Sequence, residues 1–320
     1  MKKIFSISVI FISIAILQGC GPKTFAVKNS ELSTAPYHLK DKTSNETLSV
    51  KAVQTAGKRP FSFGKLKINL ELNGEPVEPI KYLEYNVLNE LADKGIQIES
   101  AKGSENVLSV TQFYIRNHRT NGYTPFITFS NFKGTLAHAG GTETIAAYVK
   151  RGKVPVWSFN EVIEPTLNEP LALISKEVAA KINQIIFGYR ISDQQVKDLV
   201  ADIHSNADEK DTYLKVYELG FGNNQSAIKD LVEMTKSDEE YVRLAAISSL
   251  GILKAESHID LLWSIYQDSK IWQDRAMALK ALGDISSEPA LSKLKQAQTE
   301  TKQENEKAIK WFAEVFDLYL

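Results

Sequence analysis

The chain contains very little cysteine, with Cys20 as the single example in 320 residues. One thiol excludes a disulfide within the chain and a zinc site built from several cysteines. The five histidines lie in unrelated segments, and none has a second ligand at the spacing of a zinc motif. We therefore expect no metal site, and the fold must be stabilised by packing alone.

Motifs of the common catalytic classes are also absent. The chain has no Gly-x-Ser-x-Gly elbow, no phosphate-binding Gly-x-x-x-x-Gly-Lys loop and no dinucleotide fingerprint. Lys and Arg total 38 against 39 Asp and Glu, so no strong charge favours a nucleic acid as partner. These absences predict a protein that is not an enzyme and takes no cofactor, with a cryptic hydrolase as the minor alternative.

The N-terminus, in contrast, is rich in information. A basic Met1-Lys2-Lys3 precedes an apolar stretch from Ile4 to Ile16, which is too short to span a bilayer stably and fits a cleaved signal. The stretch ends in Leu17-Gln18-Gly19-Cys20, which resembles the lipobox of bacterial lipoprotein precursors. The resemblance implies cleavage before Cys20 and acylation of its thiol, with palmitate among the chains. An ordinary signal peptide with an incidental cysteine is the alternative.

Lipid on Cys20 would make the membrane a partner of the mature chain. Two or more acyl chains hold a protein stably, whereas one is marginal. In lipoproteins of this kind an Asp after the cysteine commonly favours the inner membrane. Gly21 stands there instead, so the resemblance implies the periplasmic face of the outer membrane, with the inner membrane less favoured.

The pattern divides the chain into four parts. Residues 1–19 are the predicted signal peptide, and the polar residues 20–47 are the predicted flexible tether. Residues 48–190 are predicted to form an α+β domain, and residues 192–320 an all-α array of repeats.

The α+β prediction follows from a change of periodicity along the chain. Alternation from Leu66 to Leu72 before Asn73-Gly74 predicts a strand and a turn. Helical spacing follows Pro79, and the expected segments are helices over 79–94 and 170–187 and strands over 107–116, 125–136 and 144–159. We expect one sheet with two helices on a face, an order that resembles the YajG-type lipoproteins.

The second half repeats itself. The pairs Leu219-Gly220, Leu250-Gly251 and Leu282-Gly283 recur at intervals of a helical hairpin. Residues 242–247 and 274–279, which precede the last two pairs, share their Arg, Ala and aliphatic positions. This pattern resembles HEAT repeats of the phycobilisome-lyase type. The resemblance implies a solenoid of about four units with degenerate ends. Leu250 and Leu282 are predicted to lie in its core.

Two groups of residues are candidate partner sites. Arg243 and Arg275 occupy equivalent repeat positions, where they would line a groove for an acidic partner or, as we favour, pair with neighbouring turns to hold the repeats in register. His118, Arg119 and Tyr123 lie in a polar loop between two strands, where binding residues often occur. A solvated hairpin without a partner is the favoured reading of that loop.

Trp157 and Phe159 are predicted to be buried under the second helix, with ligand contact as the alternative. Taken together, the sequence predicts a tethered scaffold or assembly factor that binds an unidentified periplasmic or outer-membrane protein. The alternative is a binder of a lipid, glycan or peptidoglycan fragment through the α+β domain. An apolar cavity within residues 48–190 would favour the binder, and exposed apolar or charged residues along one face of the repeats would favour the scaffold.

Overall fold

A computed structural model describes residues 22–33, 35–38, 46–53, 60–207, 209–302 and 306–320. The strands are β1 (Lys23–Val27), β2 (Thr47–Ala52), β3 (Ser62–Gly64), β4 (Ile68–Leu72), β5 (Glu75–Pro76), β6 (Glu99–Ser100), β7 (Asn106–His118), β8 (Phe126–His138) and β9 (Gly141–Lys153). The α-helices are α1 (Pro79–Asp93), α2 (Glu169–Ile182), α3 (Asp193–Ser205), α4 (Thr212–Phe221), α5 (Ile228–Met234), α6 (Glu240–Ile252), α7 (Ile259–Asp268), α8 (Trp272–Ile285), α9 (Glu288–Thr301) and α10 (Glu306–Tyr319). This order confirms the predicted fold class, a sheet-rich part with a few helices followed by a helical part.

The larger sheet is built on three long strands. β7, β8 and β9 form an antiparallel meander, and β2 and β3 pair in parallel with successive halves of β7. The three predicted strand segments are confirmed, although the third begins earlier, at Gly141, and ends at Lys153 before the bend. β9 forms one edge of this sheet among the described residues.

A smaller sheet corrects the expectation of a single sheet. β1 lies parallel to β4, with Lys23 paired to Ile68 and Val27 paired to Leu72. Local alternation predicts a strand but carries no information about its partner, which is why β4 was assigned to the wrong sheet. The predicted turn is confirmed, since Asn73 and Gly74 have φ values of 54° and 85°.

The described residues of the predicted tether are not a flexible linker, because they include a strand and several buried side chains. Phe25 and Val27 are 2% and 5% exposed, and Ser33 and Tyr37 are buried against the helical half. The Tyr37 hydroxyl donates a hydrogen bond of 2.9 Å to the carbonyl of Phe221. Polar composition was a poor guide here because these polar groups pair with other buried groups.

Two helices cover one face of the larger sheet, as predicted. α1 begins at Pro79, a residue suited to the first helical position, and packs beside α2. Leu83, Val87 and Ile174 are fully buried between the helices and the strands. After α2 the chain continues in a wider π-helical turn, Asn183–Phe187, and ends at Gly188 with φ of 68°.

The helical half stacks hairpins in order. The second helices, α4, α6, α8 and α10, lie side by side, and the first helices, α3, α5, α7 and α9, pack on their outer side. Leu250 and Leu282 are 0% exposed, which confirms their prediction as core residues.

The repeated glycines have a common geometric cause. A Cβ atom on Gly251 would lie 2.5 Å from the Cα atom of Ala281 in the next second helix. A side chain on Gly220 would collide with Ser249, and one on Gly283 with the ring of Tyr319. Glycine therefore recurs because each second helix approaches the next too closely for a larger residue.

Candidate functional site: the junction of sheet and repeats

The second face of the larger sheet packs against the repeats. The Arg116 guanidinium forks around the carboxylate of Glu314 in α10, and the ring centroid of Phe129 lies 6.1 Å from that of Trp272 in α8. Trp272 in turn packs on Trp311, with centroids 4.0 Å apart. Because α1 and α2 cover the first face, the middle of β9 is buried on both sides.

The edge of β9 is covered as well. The Tyr241 hydroxyl of α6 accepts a hydrogen bond of 3.1 Å from the Gly152 amide and donates one of 3.0 Å to the Gly152 carbonyl. Further along, Lys181 Nζ donates to the Ala146 carbonyl at 2.6 Å. These contacts satisfy part of the backbone that an edge strand leaves unpaired, and they protect it from pairing with another chain.

A buried cluster of charges joins α2 to the repeats. Lys280 Nζ lies 2.7 Å from the carboxylates of both Glu177 and Asp284. Lys181 Nζ lies 2.6 Å from the same two groups, and Tyr319 donates a hydrogen bond of 2.6 Å to Asp284. Two cations thus face two anions across the junction, and the charges balance within the cluster.

Neighbouring charges shift the pKa values of Asp284 and Lys280. Burial alone would raise the pKa of Asp284, but the charges of Lys181 and Lys280 outweigh it and hold that pKa below its ordinary value. Burial would likewise lower the pKa of Lys280, and Asp284 and Glu177 instead raise it. The charged forms of Asp284 and Lys280 therefore stabilise each other, which suits a structural junction.

A second cluster joins the N-terminal segment to the repeats. Glu218 of α4 lies 3.0 Å from Lys94 Nζ and 3.2 Å from Lys176 Nζ, and it accepts a hydrogen bond of 2.6 Å from Ser33. Burial would raise the pKa of Glu218, and the two lysines hold it below its ordinary value. Nearby Glu90 has a raised pKa because it is buried and faces the charge of Glu218.

A cavity of about 440 Å³ adjoins the first cluster. Its lining is mixed, with Glu143 and Thr144 of β9, Lys181 of α2, and Asp284 and Tyr319 of the repeats. The cavity is large enough for a small polar molecule. Within the described ranges, no group of three or more His, Cys, Asp or Glu side chains is arranged to hold a metal ion.

The two repeat arginines pair within the chain. Arg243 Nε lies 3.0 Å from the carboxylate of Asp274 in the next repeat, and its Nη1 donates to the Ser237 carbonyl at 2.6 Å. Arg275 Nε donates to the Tyr266 carbonyl at 2.9 Å, and its guanidinium lies 5.1 Å from the ring of Phe312. These contacts match the favoured reading, and partner binding by either arginine stays a prediction.

The polar loop that contains His118, Arg119 and Tyr123 forms the turn between β7 and β8. Arg119 donates to the carbonyls of Asn121 and Gly122 and holds the turn together. His118 ends β7, and Tyr123 is 98% exposed at the tip. Cys20 lies outside the described residues.

Trp157 corrects an expectation, because it is 84% exposed and not buried under α2. The chain turns away after β9, and Glu161 accepts hydrogen bonds from the backbone of this bend. Phe159 is half-buried, with Lys23 Nζ 4.0 Å from its ring centroid.

The charged clusters at the junction were not predicted from the sequence. Lys280 lies in the apolar run Ala276 to Leu282, where the preceding repeat carries Ser248. A lysine among alanines and leucines is an available signal of a buried ion pair. Its partner Glu177 belongs to another element, and spacing within one helix cannot reveal such a pair.

One comparison with known protein families supports the assignment of the helical half as repeats. A family model for HEAT repeats matches residues 196–276. The chain is similar to the solved structure of a minor lipoprotein from Acinetobacter baumannii, with 13% identity, a TM-score of 0.29, and coverage of 44% of this chain and 92% of that chain. It is also similar to the structure of an uncharacterized protein, with 15% identity, a TM-score of 0.30, and coverage of 51% and 99%.

No curated protein matches the chain in sequence. Across the residues that the structure describes, no helix has the length and apolar character needed to cross a membrane. The C-terminal helical region contains HEAT repeats.

Proposed function

We propose that the protein is a lipid-anchored lipoprotein of the cell envelope that acts as a non-enzymatic scaffold or assembly factor for another envelope protein. The observation that carries the proposal is the HEAT-repeat region, because such repeats present extended surfaces to protein partners. Because the repeats are already packed on the chain's own sheet, their outer surface is preformed, which lowers the entropy cost of binding a partner.

The junction changes which surface of the repeats a partner would use. The second helices pack against the chain's own sheet, so the proposed binding surface is the outer face of the first helices. α3 buries Val196 and Ile203 and exposes most of its remaining polar residues, and α5 exposes Lys229 and Glu233. The surface is polar and charged, in keeping with a non-obligate partner.

Anchoring through Cys20 is part of the proposal, and it places the protein at the periplasmic face of the outer membrane. Wild-type protein should incorporate labelled palmitate and sediment with outer-membrane vesicles. Cys20→Ala should lose both the label and the sedimentation. Labelling of that variant at the wild-type level would contradict the anchor.

Site-specific photo-crosslinking in intact cells tests the scaffold role. A photoreactive amino acid at Lys197 of α3 or Gln267 of α7, both exposed, should yield a discrete adduct with one envelope protein. The same group at Tyr85 of α1, 55% exposed, is the matched control and should not yield that adduct. An identical adduct pattern at all three positions would contradict a binding face on the first helices.

A second candidate function is supported by the cavity beside Lys181 and Asp284. Its polar lining suits a glycan or a peptidoglycan fragment better than a lipid chain. The cavity is shared between residues 133–185 and the repeats, whereas a ligand binder was expected to hold an apolar cavity within residues 48–190. Saturable binding of a muropeptide, lost when Thr144 is changed to Trp, would support this function over the scaffold.

A further inference from the structure

Two aromatic side chains project into solvent at one end of the larger sheet. Tyr123 and Trp157 are 98% and 84% exposed, the highest values among the large hydrophobic side chains in the described ranges. Val154, beside them, is 56% exposed. A patch of this kind on a folded domain commonly marks an interaction site.

The three side chains share one end of the sheet because of strand register. Tyr123 lies in the β7–β8 turn, and Phe126 at the start of β8 pairs with Lys153 at the end of β9. Val154 and Trp157 follow directly. We call the end of the sheet that carries Tyr123, Val154 and Trp157 the aromatic end.

The start of the described chain lies at the same end. Lys23 Nζ is 4.0 Å from the ring centroid of Phe159, and the Arg119 guanidinium is 5.7 Å from that same centroid. Cys20 precedes Lys23 by three residues. A peptide of this length reaches at most about 11 Å when fully extended, so lipid on Cys20 would hold the aromatic end within that distance of the bilayer surface.

The charged residues at this end are all basic, although the whole chain has a formal net charge of only −1. Four segments meet here, namely residues 22–27, 60–68, 117–125 and 152–160. They contain no Asp or Glu, and their cations are Lys23, Lys65, Lys67, Arg119 and Lys153. The acid that follows, Glu161, is engaged by the backbone amide of Ser158 at 3.1 Å. Cations in such a position are attracted to anionic lipid headgroups.

We propose that the aromatic end rests on the membrane, with Trp157 and Tyr123 inserted at the level of the headgroups and the five cations facing anionic lipid. Trp and Tyr favour this region because an apolar ring and a polar group meet there. The inference rests on the proposed acylation of Cys20. It adds a fixed orientation, because the anchor and the aromatic end together hold the sheet at two points.

Quenching by brominated lipid tests the contact directly. The acylated mature protein is purified from membranes, and its acylation is verified by intact mass. It is then reconstituted into vesicles of phosphatidylethanolamine and phosphatidylglycerol. Trp263 and Trp311 are 8% exposed, and Trp272 is half-buried against Phe129 and Trp311. Trp157 is therefore the indole placed to meet lipid. Brominated vesicles should quench part of the wild-type emission, and Trp157→Phe should abolish that quenched part.

A control moves the exposed indole elsewhere. Tyr85 lines a hollow with Leu72 and Asn73, at the opposite end of β4 from the residue that pairs with Lys23. The double variant Trp157→Phe/Tyr85→Trp should show no added quenching. Equal quenching of the double variant and wild type, or none of the wild type, would overturn the membrane contact while leaving the anchor intact. A mass without acyl chains would overturn the anchor and the contact together.

Discussion

Lys280 of α8 forms an ion pair of 2.7 Å with Glu177 of α2, and the two side chains are 0% and 1% exposed. The pair connects the repeats to the helix that covers the other face of the sheet. Its charges are balanced by Lys181 and Asp284 in the same cluster. The sheet and the repeats are therefore joined by desolvated charges as well as by aromatic packing.

Removing the Lys280 charge is expected to be strongly destabilising. Lys280→Met leaves Glu177 and Asp284 with Lys181 as their common cation, and breaking a buried pair in this way costs about 3 kcal/mol. Urea unfolding followed by circular dichroism measures the effect. Lys236→Ala is the matched control, because Lys236 forms an exposed pair with Glu233, and its unfolding free energy should stay within about 0.5 kcal/mol of wild type.

Acid should destabilise the junction through Asp284. The pKa of Asp284 is depressed in the folded state, so its contribution is fully present above the unfolded value of about 3.9 and is lost as the pH falls through the folded value. The melting temperature should be nearly flat from pH 7 to about pH 5 and fall below about pH 4. Asp284→Asn should melt lower at pH 7 and lose less on acidification. An acid profile identical to wild type would contradict this role.

Glu90 should behave in the opposite way. Burial and the charge of Glu218 raise its pKa in the folded state, so its contribution is present below the unfolded value of about 4.3 and is lost as the pH rises through the folded value. Glu90→Gln should therefore raise the urea midpoint at pH 7 and leave it unchanged at pH 4. A lower midpoint at pH 7 would show that the ionised carboxylate is well paired.

The repeat glycines give a test of helix packing. Gly251→Ala places a methyl group against the backbone of Ala281, and overpacking of this kind typically costs about 1–3 kcal/mol. Gly122→Ala is the control, since a Cβ there meets nothing within 4 Å, and its effect should be below about 0.5 kcal/mol. Similar urea midpoints for the two variants would contradict the close approach of α6 and α8.

The sequence predicted the positions of helices, strands and turns along the chain better than it predicted which elements pack together. Helical spacing after Pro79, the turn at Asn73-Gly74 and the burial of Leu250 all follow from local periodicity, and the structure agrees. The pairing of β1 with β4 and the burial of Ser33 and Tyr37 depend on contacts between distant segments. Periodicity within one segment carries no signal for such contacts, so a polar stretch was taken for a tether.

The same limit applies to the candidate site. Arg243 was identified from the repeat alignment because its neighbours recur at the same interval. Glu177 and Trp157 belong to no repeat, and their importance depends on what lies opposite them. The ion-pair partner of Glu177 and the solvent exposure of Trp157 can be recognised only from the three-dimensional structure.

The packing of the repeats on the sheet is the central claim, and a double-mutant cycle between Arg116 and Glu314 tests it most directly. Arg116→Ala, Glu314→Ala and the double variant are compared by urea unfolding with wild type. A direct contact between β7 and α10 predicts a coupling energy of about 1–3 kcal/mol. Strictly additive effects, with a coupling below about 0.3 kcal/mol, would contradict the junction on which the account rests.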